Sequence, residues 1–165
     1  MNEAFIINNT QKEILLNSDP ANINLIEPII RGRDTRRFYS NPSNLYIIIS
    51  KYQGADELIQ NYPDIYNYLT RFEEKLKKRG QVTNGQHHWL ELDNNPSQAY
   101  FESFKKPKII FSEIVSSPQF YYDESGLFPE ATTFFIQGEN LKPIIALLNS
   151  KCCTYIFKQF YAGGS

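Results

Sequence analysis

No apolar run in this chain approaches the 18 residues of a membrane-spanning helix, and the runs that exist are brief and rich in β-branched or aromatic residues. Leu45–Ile49 is bounded by Asn41-Pro42 on one side and Gly54 on the other, which predicts a buried strand. Phe5–Ile7, Pro107–Val115, Phe120–Tyr122 and a segment near Thr132–Ile136 are predicted strands of the same kind. Asp123-Glu124-Ser125-Gly126 predicts the turn of a hairpin joining the last two. Helical patterns alternate with these strands. Thr10-Gln11-Lys12-Glu13 fits a capping box ahead of Ile14-Leu15-Leu16, and Asp19-Pro20 ends that element. Leu25, Ile26, Ile29 and Ile30 follow at helical spacing around Pro28, predicting a short broken helix that leads into Arg31-Gly32-Arg33-Asp34.

The clearest helix is expected from about Pro63 to Arg79. Proline suits its first turn, Ile65, Tyr68, Leu69, Phe72 and Leu76 form its apolar stripe, and Gly80 supplies a stop. A polar loop, Gln81 to Trp89, holds both histidines and the only tryptophan. A further helix begins at Asn140 and continues, or restarts after Asn149-Ser150, to Phe160, while Ala162–Ser165 reads as a cut through a loop. With 165 residues, no internal repeat and no linker, the expected fold is α+β, a single mixed domain over 1–165 with a β-rich part and a helical part.

Two adjacent cysteines, Cys152 and Cys153, cannot make a framework of long-range disulfides, and in an apolar helical stretch they read as small buried hydrophobes. They fit a reducing, cytoplasmic setting. The N-terminal residues have neither a basic n-region nor a long apolar stretch, so no signal peptide or membrane partner is expected.

The net charge of −1 argues by itself against a nucleic-acid binder, but the basic residues are unevenly spread. Of 17 in all, four lie at Arg31, Arg33, Arg36 and Arg37, five at Arg71, Lys75, Lys77, Lys78 and Arg79, and three at Lys105, Lys106 and Lys108. Among the acids, only Asp34, Glu73 and Glu74 share those windows. Local charge, rather than its sum, sets the field a phosphate meets. Each window is also open to a bland reading: a solvated face, a complement to a helix dipole, or arginines paired with Asp34 and carbonyl groups.

Catalytic patterns are absent. The Asn-Pro pairs continue as Asn41-Pro42-Ser43 and Asn95-Pro96-Ser97, not as the Asn-Pro-Pro-aromatic segment of an amino-nitrogen methyltransferase. No glycine-rich loop joins a strand to a helix, and His87 and His88 lack companions at metal-ligand spacing. Pro63-Asp64 with Glu73-Glu74-Lys75 imitates the Pro-Asp…Glu-x-Lys pattern of a PD-ExK-type nuclease. On one helix, however, the nine residues from Asp64 to Glu73 leave the two about half a turn out of phase.

Four segments in order, Asn2–Ile7, Leu25–Asp34, Pro107–Ile114 and Leu147–Lys151, resemble the TaqI-like C-terminal specificity domain, the target-recognition domain of adenine-specific DNA methyltransferases and of fused restriction-modification enzymes. The resemblance spans nearly the whole chain. It implies a non-enzymatic fragment excised from a larger enzyme, with duplex DNA and the methyltransferase domain of the same parent chain as partners. S-adenosylmethionine is then the cofactor of that other domain, and this fragment needs none. The resemblance does not supply the DNA sequence read. Residue chemistry adds candidates: Arg31, Arg33, Arg36, Arg37, Lys77, Lys78, Arg79, Lys105, Lys106 and Lys108, most of them for phosphates though arginine also suits the O6/N7 edge of guanine, and Gln81, Asn84, Gln86 and His87 for base edges. Trp89 is expected to be a core or interface anchor rather than a base-stacking platform. Two other readings stay open, a protein-docking module using Tyr100, Phe101 and Phe104, and the nuclease.

Overall fold

The computed structural model describes residues 3–93, 97–113, 115–130 and 132–160. Met1, Asn2, Asn95-Pro96, Ile114 and the Ala162–Ser165 loop of the sequence reading lie outside them. The fold is α+β. It resolves into two compact units, Met1–Pro28 with Asn44–Ser97, and Ile29–Ser43 with Gln98–Ser165.

In the first unit, β1 (Ile6–Asn8) and the first residues of β2 (Ile26–Ile30) pair antiparallel with β3 (Leu45–Ile48) between them. Helix α1 (Asn9–Ser18) starts two residues earlier than the sequence suggests, because Asn8 and Gln11 form the capping box: each side chain accepts the other's backbone N–H at 2.9 Å. Asp19 then caps a 3-10 segment, Pro20–Leu25, by accepting the Ala21 N–H.

The broken helix expected around Pro28 is β2 instead. Two local preferences override the apparent helical spacing: Glu27 precedes a proline, which disfavours α geometry, and the isoleucines are β-branched. Pro28 sits opposite Tyr46, and Ile26, Ile29 and Ile30 are buried.

The long helix expected from Pro63 to Arg79 is two pieces, Pro63–Thr70 and Glu73–Lys77, with a further short helix beyond it. After α2 (Ala55–Asn61) come α3 (Pro63–Thr70), α4 (Glu73–Lys77) and α5 (Gly80–Thr83). The Thr70 hydroxyl donates back to the Asn67 carbonyl at 2.8 Å, a competitor of the helical ladder, and the chain leaves helical geometry at Phe72. The apolar stripe survives the break, since Ile65, Tyr68, Leu69 and Leu76 are buried with Phe5, Ile7, Ile48, Leu58, Trp89 and Leu90. Trp89 is thus a core residue.

In the second unit, β4 (Lys108–Ser112) is the middle strand of an antiparallel sheet with β5 (Phe120–Asp123) on one side and β7 (Thr133–Ile136) on the other. The expected β5–β7 hairpin therefore does not form. Ile109 and Ile110 are both fully buried, so β4 is covered on both faces and takes the central place. The Asp123–Gly126 turn does exist: the Asp123 carboxylate accepts the N–H groups of Ser125 and Leu127 at 3.0 Å, and Gly126 is left-handed at φ 81°. It leads into β6 (Phe128–Pro129), which pairs parallel with Ile29-Ile30.

Helix α6 (Gln98–Phe104) buries Phe101 and Phe104 against Phe128. Helix α7 (Leu141–Leu148) packs Leu141 and Ile145 on Ile109 of the sheet. The restart after Asn149-Ser150 is α8 (Lys151–Phe160), which buries no residue. Cys152 on it is exposed and Cys153 half-buried, which corrects the reading of both as core hydrophobes.

Candidate nucleic-acid interface

The basic windows fall in different units, and each is built by its own local chemistry. In the second unit the chain after β2 passes through a 3-10 turn, Gly32–Asp34. A Cβ on Gly32 would lie 2.4 Å from the Ser112 hydroxyl and 2.9 Å from its Cβ, so only glycine lets the arginine segment lie this close to β4. Asp34 is turned inward, accepting the Arg31 N–H at 3.2 Å and the Ser43 hydroxyl at 2.6 Å. Arg31 is neutralised by Glu130, Nε to Oε2 at 2.7 Å. The Arg36 guanidinium donates to the carbonyls of Arg33 and Thr35, at 2.6 and 2.8 Å, and so splints its own loop. Arg37 is exposed and donates to the Thr154 hydroxyl at 2.7 Å. Arg33 is exposed and has no ion-pair partner among the described residues. The bland reading thus holds for Arg31 and in part for Arg36, while Arg33 and Arg37 carry outward charge.

Of the third window, Lys105 and Lys106 are exposed after α6. Lys108 is not a surface residue. It has 0% exposure, and its Nζ lies 2.6 Å from the Asp123 carboxylate, itself fully buried, and donates to the Phe104 carbonyl. Its assignment as a phosphate contact is corrected. Lys108 and Asp123 are register partners across β4 and β5, so the pair joins the sheet to the turn that follows.

Arg79, in the first unit, needs the same correction. It is 3% exposed and donates to three carbonyls, Leu76 at 3.1 Å and Trp89 and Glu91 at 2.7 Å, with Asp93 at 3.1 Å. Burial pulls its pKa below the ordinary arginine value, and Asp93 and then Glu91 push it back up. Two exposed neighbours, Lys77 and Lys78, remain on the surface, Lys77 paired with Glu73 at 2.6 Å.

Beyond Arg79 the polar segment is an ordered turn. Gly80 opens α5 and does not stop a helix; the stop is Gly85, at φ 71°. The Gln86 N–H returns to the Gln81 carbonyl at 2.9 Å and the Gly85 N–H to Val82 at 3.0 Å, the paired bonds of a Schellman end. Asn84 and Gln86 are exposed on it, and Gln81 is half-buried. His87 is turned inward, which removes it from the outward-facing set: its Nδ1 is 3.3 Å from the buried Glu91 carboxylate and its ring meets Tyr52 edge-on at 5.3 Å. A carboxylate companion four residues along was overlooked in the sequence. Glu91 also accepts the Gln53 and His88 N–H groups, at 2.9 and 3.3 Å, so Arg79 and Glu91 together tie the base of the segment.

Both competing chemistries lose their geometry. Glu73 is bound to Lys77, Lys75 reaches Glu3 at 3.0 Å, and Asp64 lies on the other side of the helix break, along a groove with Gln11 and Arg71. No group of three or more His, Cys, Asp or Glu side chains that could hold a metal occurs among the described residues. Of the three proposed docking aromatics, Phe101 and Phe104 are core and only Tyr100 is exposed.

The sequence reading overlooked Phe38 and Tyr39, which are 58% and 59% exposed beside the outward arginines. Their only sequence signal is two rings directly after Arg36-Arg37. A family model described as the TaqI-like C-terminal specificity domain matches residues 27–164, from Glu27 in β2 through the arginine window and the second sheet to beyond α8.

Proposed function

The chain belongs to the TaqI-like C-terminal specificity domain family, and from that premise we propose that it recognises a duplex DNA sequence on behalf of an adenine-specific DNA methyltransferase of a restriction-modification system. The observation that carries the reading is the match over residues 27–164. The outward cations of both units, Arg33, Arg37, Lys78, Lys105 and Lys106, support it as phosphate contacts, with Lys77 and Arg36 beside them. Asn84, Gln86 and Gln81 are the neutral, directional groups suited to base edges. Residues 1–165 then act together as one target-recognition module, and a methyltransferase domain in the same cytoplasmic parent chain performs the chemistry. That domain would hold S-adenosylmethionine. No residue here is assigned to it, because the sequence has no glycine-rich strand-to-helix loop to receive a nucleotide-like cofactor.

The test is a titration of the full chain with duplex DNA at several salt concentrations. Binding without turnover is expected, with log K falling by about 0.9 per decade of salt for each phosphate neutralised. A flat salt response, or Mg²⁺-dependent strand cleavage, overturns the reading.

A further inference from the structure

We propose that the Arg37-Phe38-Tyr39 tip of the second unit is a wedge that enters duplex DNA at a base step, Phe38 being the ring inserted and Tyr39 standing beside it. The inference rests on the DNA-recognition reading and adds a residue and a mode of contact to it.

The tip is rigid by construction. Thr35 and Ser40 form an isolated antiparallel bridge, the Arg36 N–H donates to the Tyr39 carbonyl at 2.9 Å, and the Asn41 N–H donates to Asp34 at 2.8 Å. At its apex Phe38 is left-handed, φ 68°, a conformation bulky residues adopt only when the surroundings over-determine it. One such determinant is visible, the Phe38 N–H donating to the Phe120 carbonyl at 3.0 Å. Phe120 stands at the end of a row of rings across the sheet, 5.4 Å from Phe111, which is 5.9 Å from Phe134, so the anchor is itself braced. A backbone fixed this firmly nevertheless holds both rings in solvent. Presenting rings on a loop already ordered spares the ordering entropy that a flexible loop would lose on binding.

Charge identifies the occupant. Between Arg31 and Ser43 the only acid, Asp34, is buried and bonded inward, and Arg31 is neutralised. Outward charge in the segment is therefore positive, on Arg33 and Arg37, with Arg36 between them. An apolar ring flanked by cations matches a base step, whose stacked faces are apolar and whose flanking backbones carry phosphates. Phe38 has no polar group to strand between bases, whereas the Tyr39 hydroxyl can meet a phosphate or a base edge.

The experiment compares a mixed-sequence duplex of about 30 base pairs with the same duplex carrying one abasic site, where unstacking costs least. Wild-type chain is expected to bind the abasic duplex about tenfold more tightly. Phe38→Asn, which tolerates the left-handed backbone, should bring that preference to within about twofold of unity, while Phe38→Trp keeps it and all three share one salt slope. A wild type that binds with the expected salt slope but no preference, or a preference that survives Phe38→Asn, overturns the wedge and leaves DNA recognition standing. Absence of salt-dependent binding to either duplex overturns both. Self-association lost in Phe38→Asn with DNA preference unchanged would assign the rings to a contact between copies and overturn the wedge as well.

Discussion

The Lys77–Trp89 segment of the first unit and the Arg31–Tyr39 segment of the second use arginine in opposite ways. In the first, the arginine is inside and the neutral polar side chains are outside: Arg79 gathers the carbonyls of Leu76, Trp89 and Glu91, and Asn84 and Gln86 face water. In the second, Asp34 is inside and Arg33 and Arg37 are outside, with the rings of Phe38 and Tyr39 among them. A cation that satisfies buried carbonyls organises a loop for others to use, whereas one at the surface is available to a polyanion. A guanidinium with its donors spent inside, as in Arg79, has none left for phosphate, whereas Arg36 commits one nitrogen to its two carbonyls and keeps the rest.

The contrast should break most dramatically at the buried cations. Lys108→Ala leaves the Asp123 carboxylate buried without its ion pair and is expected to cost about 4–5 kcal/mol, read by urea denaturation followed by circular dichroism. Arg79→Ala should cost about 3 kcal/mol, less because Asp93 is partly exposed. Trp89, whose carbonyl Arg79 holds, reports that loss by fluorescence. Should either variant keep its stability and lose DNA affinity, the division into inner and outer cations is wrong.

Gly32→Ala comes next, at about 1–3 kcal/mol for overpacking against Ser112, and Ser112→Gly in the same chain should recover part of it. Arg33→Ala and Lys78→Ala are expected to change stability by under about 0.5 kcal/mol while each lowers the salt slope by about 0.9, measured by the same titration. Smallest is Glu73→Ala, a few tenths of a kcal/mol for an exposed helical pair, with no effect on any nuclease assay.

Elements defined by their own local pattern were legible in the sequence: β3, β4 and β5, the core face of α3, and the α7–α8 restart at Asn149-Ser150. What misled was any feature decided by a distant partner. Nothing near Lys108 in sequence announces Asp123 opposite it, and the arginine that closes a loop differs from its lysine neighbour only by carbonyls ten and twelve residues on. The β2 misreading is different, since its correction is local: so short an apolar run suits a strand buried on both faces as well as a helix, and the proline within it favours the strand. For the candidate interface, residue type was legible and orientation was not, which is why Arg31, Arg79, His87 and Lys108 belonged to it in sequence and leave it in structure.

The Gly85 turn has a consequence for how such a protein changes over time. Its ends are fixed from behind by Arg79 and Glu91, and its reversal depends on one glycine whose missing Cβ would point into open space. Asn84 and Gln86 flank that glycine as exposed positions that the core does not constrain. Exchanges there should leave folding untouched, so the vocabulary of this tip can be rewritten one letter at a time while the grammar that holds it upright is inherited intact.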